Sequence, residues 1–112
     1  MKQIIDKIKA ELKKDEFNTA QVVTLMKELR EYFKANHKEP GYVKMIRLAY
    51  ENLEENEDYT FLYLEEDGGK ENLEYLIDLL GDHNNKYNRE ELQDIRNLME
   101  GIVPEDEDAE GE

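Results

Sequence analysis

Apolar side chains recur at intervals of three and four residues along most of the chain, and this spacing limits the folds open to it more than any other feature. Val22, Leu25, Met26, Leu29, Tyr32 and Phe33 keep the interval over three turns, and Ile4, Ile5, Ile8 and Leu12 keep it over two. Such spacing puts the apolar atoms on one face of a helix and the polar ones on the other. Two amphipathic helices therefore open the chain. A third is predicted from Pro40 and Gly41, with Tyr42, Val43, Ile46, Ala49, Tyr50 and Leu53 on its buried side. A fourth, from about Lys70 to Leu80 and ending at Gly81, carries Leu73, Tyr75, Leu76, Ile77, Leu79 and Leu80. It is apolar over most of its circumference and is expected at the centre. Leu92, Ile95, Leu98, Met99, Ile102 and Val103 mark the last.

The starts of the second and last helices share one grammar. In Phe17-Asn18-Thr19-Ala20-Gln21-Val22, Asn18 is placed to cap, Gln21 to reach back to it, and Phe17 to pack on Val22. Tyr87, Asn88, Glu91 and Leu92 repeat the pattern, and Asn88 is the expected cap. Tyr59-Thr60-Phe61-Leu62-Tyr63-Leu64 has strand-type residues but no second strand to pair with, so a short helix stopped by Gly68 or Gly69 is the favoured reading. A strand paired across a dimer is the alternative. The expected fold is all-α: a compact bundle of five or six short helices, or stacked helical hairpins, over residues 1–103. A disordered acidic tail over 104–112 is expected to follow.

Charge narrows the function. The 112 residues include 29 acidic and 15 basic side chains, a net charge of −14. Leu, Ile, Val and Phe still make up 27 positions, enough to favour a folded domain over a disordered chain. The charge is also uneven. Residues 1–47 carry 11 basic and 7 acidic groups, residues 48–103 carry 4 and 16, and residues 104–112 carry 6 acidic groups alone. The molecule is an electrostatic dipole.

With no Cys and no Ser, serine and cysteine nucleophiles, thiolate metal sites and disulfides are excluded. Asp6, Lys7 and Lys9 interrupt the N-terminal isoleucines, and no window approaches a membrane span, so a cytoplasmic protein without membrane contact is expected. Gly68-Gly69-Lys70 lacks the Ser or Thr and the earlier glycine of a phosphate loop. From Asp82 to Glu91 the chain resembles an EF-hand loop, with Asp82, Asn84, Asn88 and Glu91 at oxygen-ligand positions. Leu80 occupies the first ligand position, so a helix-loop-helix without metal is expected. His37 and His83 lie in separate polar connections and read as exposed loop residues. No cofactor and no catalytic centre is expected.

Two uses of the charge remain. Lys27, Arg30, Lys34, Lys38, Lys44 and Arg47 form a basic run, but Glu28, Glu31 and Glu39 interleave with it, and the net charge repels a polyanion. Direct nucleic-acid binding is therefore not expected. The acidic half is the candidate for engaging a basic protein surface, through Glu51, Glu54, Glu55, Glu57, Asp58, Glu65, Glu66 and Asp67. Seven tyrosines suit an interface. In size, acidity and helical content the chain resembles the nucleic-acid-mimicking inhibitors that phages use against restriction or CRISPR enzymes, which implies a basic nucleic-acid-binding protein as partner. The alternative is self-assembly, in which the positive N-terminal half of one copy meets the negative half of another.

Overall fold

The computed structural model describes residues 1–36 and 39–101. Among them lie five helices: α1 (Lys2–Leu12), α2 (Thr19–Asn36), α3 (Pro40–Asn56), α4 (Gly69–Gly81) and α5 (Lys86–Glu100). The described residues contain no strand, so the all-α expectation holds. His37, Lys38, Ile102, Val103 and the acidic segment 104–112 lie outside the described residues.

Each helix buries most of the stripe that its spacing defines, although Leu98 of α5 is 42% exposed and Val43 and Tyr75 are half-buried. Leu73, Leu76, Ile77 and Leu80 of α4 are fully buried, and so are Ile8, Leu12, Val22, Met26, Leu29 and Leu53. Each such side chain contributes about 1.5–3 kcal/mol on leaving water. The packing order is cyclic: α2 lies against α3 and α1, α1 against α4, α4 against α5, and α5 against α3. The ring closes on a single core, which also takes in Tyr59 from the link between α3 and α4. No helix of the described residues is long and apolar enough to cross a membrane.

The α1–α2 corner shows the capping logic. Asn18 Oδ1 accepts the Gln21 N–H at 2.9 Å, as its sequence position predicts. Glu11, not Gln21, takes the Asn18 N–H, at 2.8 Å, and receives Lys14 Nζ at 2.9 Å. The backbone N–H of Asn18, followed by Lys14, holds the Glu11 carboxyl below its ordinary 4.5. A depressed carboxyl stabilises the fold fully above its ordinary value, and that contribution is lost as pH falls through the lowered one. Glu11→Gln is therefore expected to be less stable than the parent at about pH 7, with the gap narrowing by about pH 3. Urea midpoints at the two pH values check it.

Four expectations are corrected. Residues 59–64 are neither helix nor strand. They run irregularly and alternate inward and outward: Tyr59 is buried, Phe61 and Tyr63 half-buried, Thr60 and Leu62 exposed. Side chains of the neighbouring helices take several of the segment's backbone hydrogen bonds, so it needs no partner strand. Gly68 and Gly69 stop no helix; Gly68 is the N-cap of α4 and Gly69 its first residue.

The cap of α5 is Asn85, which accepts the Asn88 N–H, while the Asn88 amide donates to the Asp82 carbonyl at 3.1 Å. Tyr87 is left 67% exposed and packs no staple. His83 is buried, not exposed. Its ring meets Phe33 edge-on at 5.0 Å and Tyr42 at 5.9 Å, because the short α4–α5 link turns inward over the ends of α2 and α3.

Candidate protein-interaction face

The acidic residues fall into two groups on either side of the 59–64 segment. Glu51, Glu54 and Glu55 occupy the last two turns of α3, Glu57 is its C-cap, and Asp58 follows. Glu65, Glu66 and Asp67 form the turn before α4 and, with Tyr63 and Leu64, line a shallow cavity of about 430 Å³. The α3 group does not line that cavity. Leu62, between the two groups in sequence, is 42% exposed.

Most of these carboxylates are uncompensated. Glu51 pairs with Arg47 at 3.3 Å, and Asp58 Oδ1 accepts the Tyr59 N–H at 2.9 Å. Glu54, Glu55, Glu57, Glu65, Glu66 and Asp67 are exposed and form no ion pair with the described residues. The last turn of α3 contains no basic residue, so Glu54 and Glu55 add to the negative end of the helix dipole instead of opposing it. An acidic side chain so placed costs stability, about 0.3–1 kcal/mol. Glu57 also holds a left-handed backbone, φ 54°, where glycine is the favoured residue.

The face stands on a fixed base. Asn52, on α3, accepts the Thr60 N–H and donates to the Thr60 hydroxyl, both at 2.8 Å. Asn72, on α4 and 3% exposed, accepts the Leu64 N–H at 2.6 Å. Its amide group also points at the carbonyls of Leu64, Asp67 and Gly68, at 3.1, 3.3 and 2.8 Å. Tyr63 and Tyr75 stack at 6.2 Å, and both hydroxyls donate to Glu91 Oε1, at 3.1 and 2.7 Å. Burial, and then the Glu91 carboxylate, pushes the Tyr75 phenol up to about 12 and raises that of Tyr63 as well. Both phenols remain protonated donors at neutral pH, suited to bracing the loop and unsuited to nucleophilic attack.

Sequence reasoning placed the acidic residues but missed Asn52, Asn72 and the Tyr63–Tyr75–Glu91 cluster. Asn72 carries a readable signal: it lies four residues before Leu76, in the apolar stripe of α4, where a polar residue needs partners. Of the basic run, Arg30, Lys34, Lys44 and Arg47 line one groove, whereas Lys27 Nζ lies over the Tyr50 ring at 5.5 Å. Among the described residues no group of His, Asp and Glu is arranged to hold a metal ion. No family model, no curated protein and no solved structure matches the chain.

Proposed function

We propose that this protein is a non-catalytic interaction module that binds a basic protein surface through the acidic region 48–112. Glu51, Glu54, Glu55, Glu57, Asp58, Glu65, Glu66 and Asp67 are its proposed contacts. The observation that carries the reading is the set of six exposed carboxylates without ion-pair partners among the described residues, Glu54 and Glu55 at the end of α3 and the other four on the link that Asn52 and Asn72 anchor. Anchoring lowers the entropy lost on docking, and clustered like charge steers an oppositely charged partner. A basic nucleic-acid-binding protein fits best, with the module as a mimic of the polyanion. A cytoplasmic setting is part of the same reading.

The test compares the parent chain with Glu54→Gln/Glu55→Gln/Glu65→Gln/Glu66→Gln in recovery of partners at about 0.05 M and about 0.5 M salt. A basic partner held at low salt, released at high salt and associating with the variant about tenfold more slowly is the expected result. For the mimic, the module also displaces nucleic acid from that partner. A partner that the variant captures equally well sinks the proposal.

A second reading has its own support: α3 runs from Lys44 and Arg47 to Glu51, Glu54 and Glu55, a layout suited to contacts between copies of the chain. A monomer in low-salt sedimentation removes it.

A further inference from the structure

At the opposite end of α3 the charge reverses. A groove of about 480 Å³ between α2 and α3 is walled by Arg30, Lys34, Lys44 and Arg47. Pro40 and Val43 add apolar surface to it. Its one lining carboxylate, Glu39, is already engaged by both terminal nitrogens of Arg89, at 3.1 and 3.4 Å, while Arg30, Lys44 and Arg47 each touch one carboxylate outside the lining, Glu31, Glu100 and Glu51, at 3.2, 3.4 and 3.3 Å. Pro40 is the first residue of α3, whose first turn holds no acidic side chain, so the positive end of the helix dipole also lies at this wall.

We propose that this groove binds a small phosphomonoester, its phosphoryl oxygens between the four cations and its apolar body on Pro40 and Val43. Arg30 supplies the observation that points to a ligand. Its Nε is buried with no hydrogen-bond partner among the described residues, while one terminal nitrogen, Nη1, donates to the adjacent Glu31 at 3.2 Å. Orphaned buried donors are rare in folded proteins and call for an acceptor. Arg30 lines the groove, so its guanidinium is within reach of a ligand held there. Lys34, exposed on α2, has no ion-pair partner among the described residues and supplies a free point charge.

A phosphoryl group brings three terminal oxygens and close to two negative charges, more than a carboxylate offers to several cations at once. The net charge of the chain does not forbid it. Glu55 lies about 16 Å along α3 from Lys44, beyond the screening length of about 8–10 Å in physiological salt.

The test titrates the full chain with phenyl phosphate at constant ionic strength, read by calorimetry and by the Arg30 Nε–H resonance. Saturable binding with a shift of that resonance is expected, with affinity lowered about tenfold or more in both Lys34→Gln and Arg47→Gln. Lys7→Gln, on α1, should bind as the parent does. Melting temperatures confirm that the variants are folded. Absence of saturation, or affinity unchanged in both groove variants, overturns the proposal. Saturation that appears only when Glu105, Asp106, Glu107, Asp108, Glu110 and Glu112 are replaced by their amides also overturns it, and assigns the groove to the acidic segment of this chain.

Discussion

Replacing Asn72 with alanine is expected to lower stability by about 3 kcal/mol. The side chain is buried, and its amide meets one backbone N–H and three carbonyls between Leu64 and Gly68. Alanine takes away the partner of the Leu64 N–H and of the Asp67 carbonyl, at about 1–3 kcal/mol for each that water does not reach, whereas the Leu64 and Gly68 carbonyls keep the backbone N–H groups of Asp67 and Asn72. Asn72→Asp keeps the acceptor for Leu64 but turns an oxygen toward the three carbonyls, so it should do no better. The melting temperature should fall by about 10–20 °C in Asn72→Ala. The Leu64 amide should exchange faster relative to the α2 amides, because the loss is local before it is global. A variant that melts within a few degrees of the parent would mean that water replaces the Asn72 amide. The acidic turn at 65–67 would then not depend on it.

Gly69→Ala comes next, for a different reason. A Cβ at this position runs into the Tyr59 carbonyl oxygen and comes within 2.5 Å of Asp58 Oδ1. The first is backbone, and the second is already bonded to the Tyr59 N–H, so neither gives way cheaply. The expected loss is about 1–3 kcal/mol, the range for overpacking a tight site. The start of α4 should shift away from Tyr59, which is buried in the core. Gly68→Ala is the control: its new Cβ would meet only Glu71 Oε1, at 3.1 Å, the far end of a flexible side chain. Denaturant midpoints should separate the two alanines clearly. Equal midpoints would show that the 57–68 link yields without cost, contrary to its role as the base of the acidic face.

Both substitutions act at the segment that was hardest to read. Tyr59 to Leu64 carries aromatic and apolar residues at every position but Thr60, and over six residues such a run fits more than one secondary structure. The outcome depended on Asn52 and Asn72, eight residues before Thr60 and eight after Leu64, whose side chains substitute for a partner strand. His83 was misread for a related reason. Polar neighbours suggested a solvated loop, yet the ring fills a space against Phe33 and Tyr42, residues 50 and 41 positions away. A final helix was expected and is present, but it starts at Lys86 with its cap at Asn85 and ends at Glu100 with Gly101 as C-cap, short of the expected Ile102 and Val103. Asn85 and Asn88 both have the chemistry of a cap, and only the turn after α4 selects between them.

The sequence by itself determined the five helices, the faces they bury and the division of the chain into a basic and an acidic part. Spacing, caps and charge act over a few residues, so they are written in consecutive letters. Only the tertiary structure decided which distant side chains join the charges at the two ends of α3. Folding against α2 gathers Arg30 and Lys34 with Lys44 and Arg47 into one groove. At the other end, Glu54, Glu55 and Glu57 on α3 and its cap, and Glu65, Glu66 and Asp67 on the link that Asn72 anchors, have no ion-pair partner among the described residues. Such groupings rest on contacts between distant residues, fixed by how the helices fill a shared core and not by any local preference.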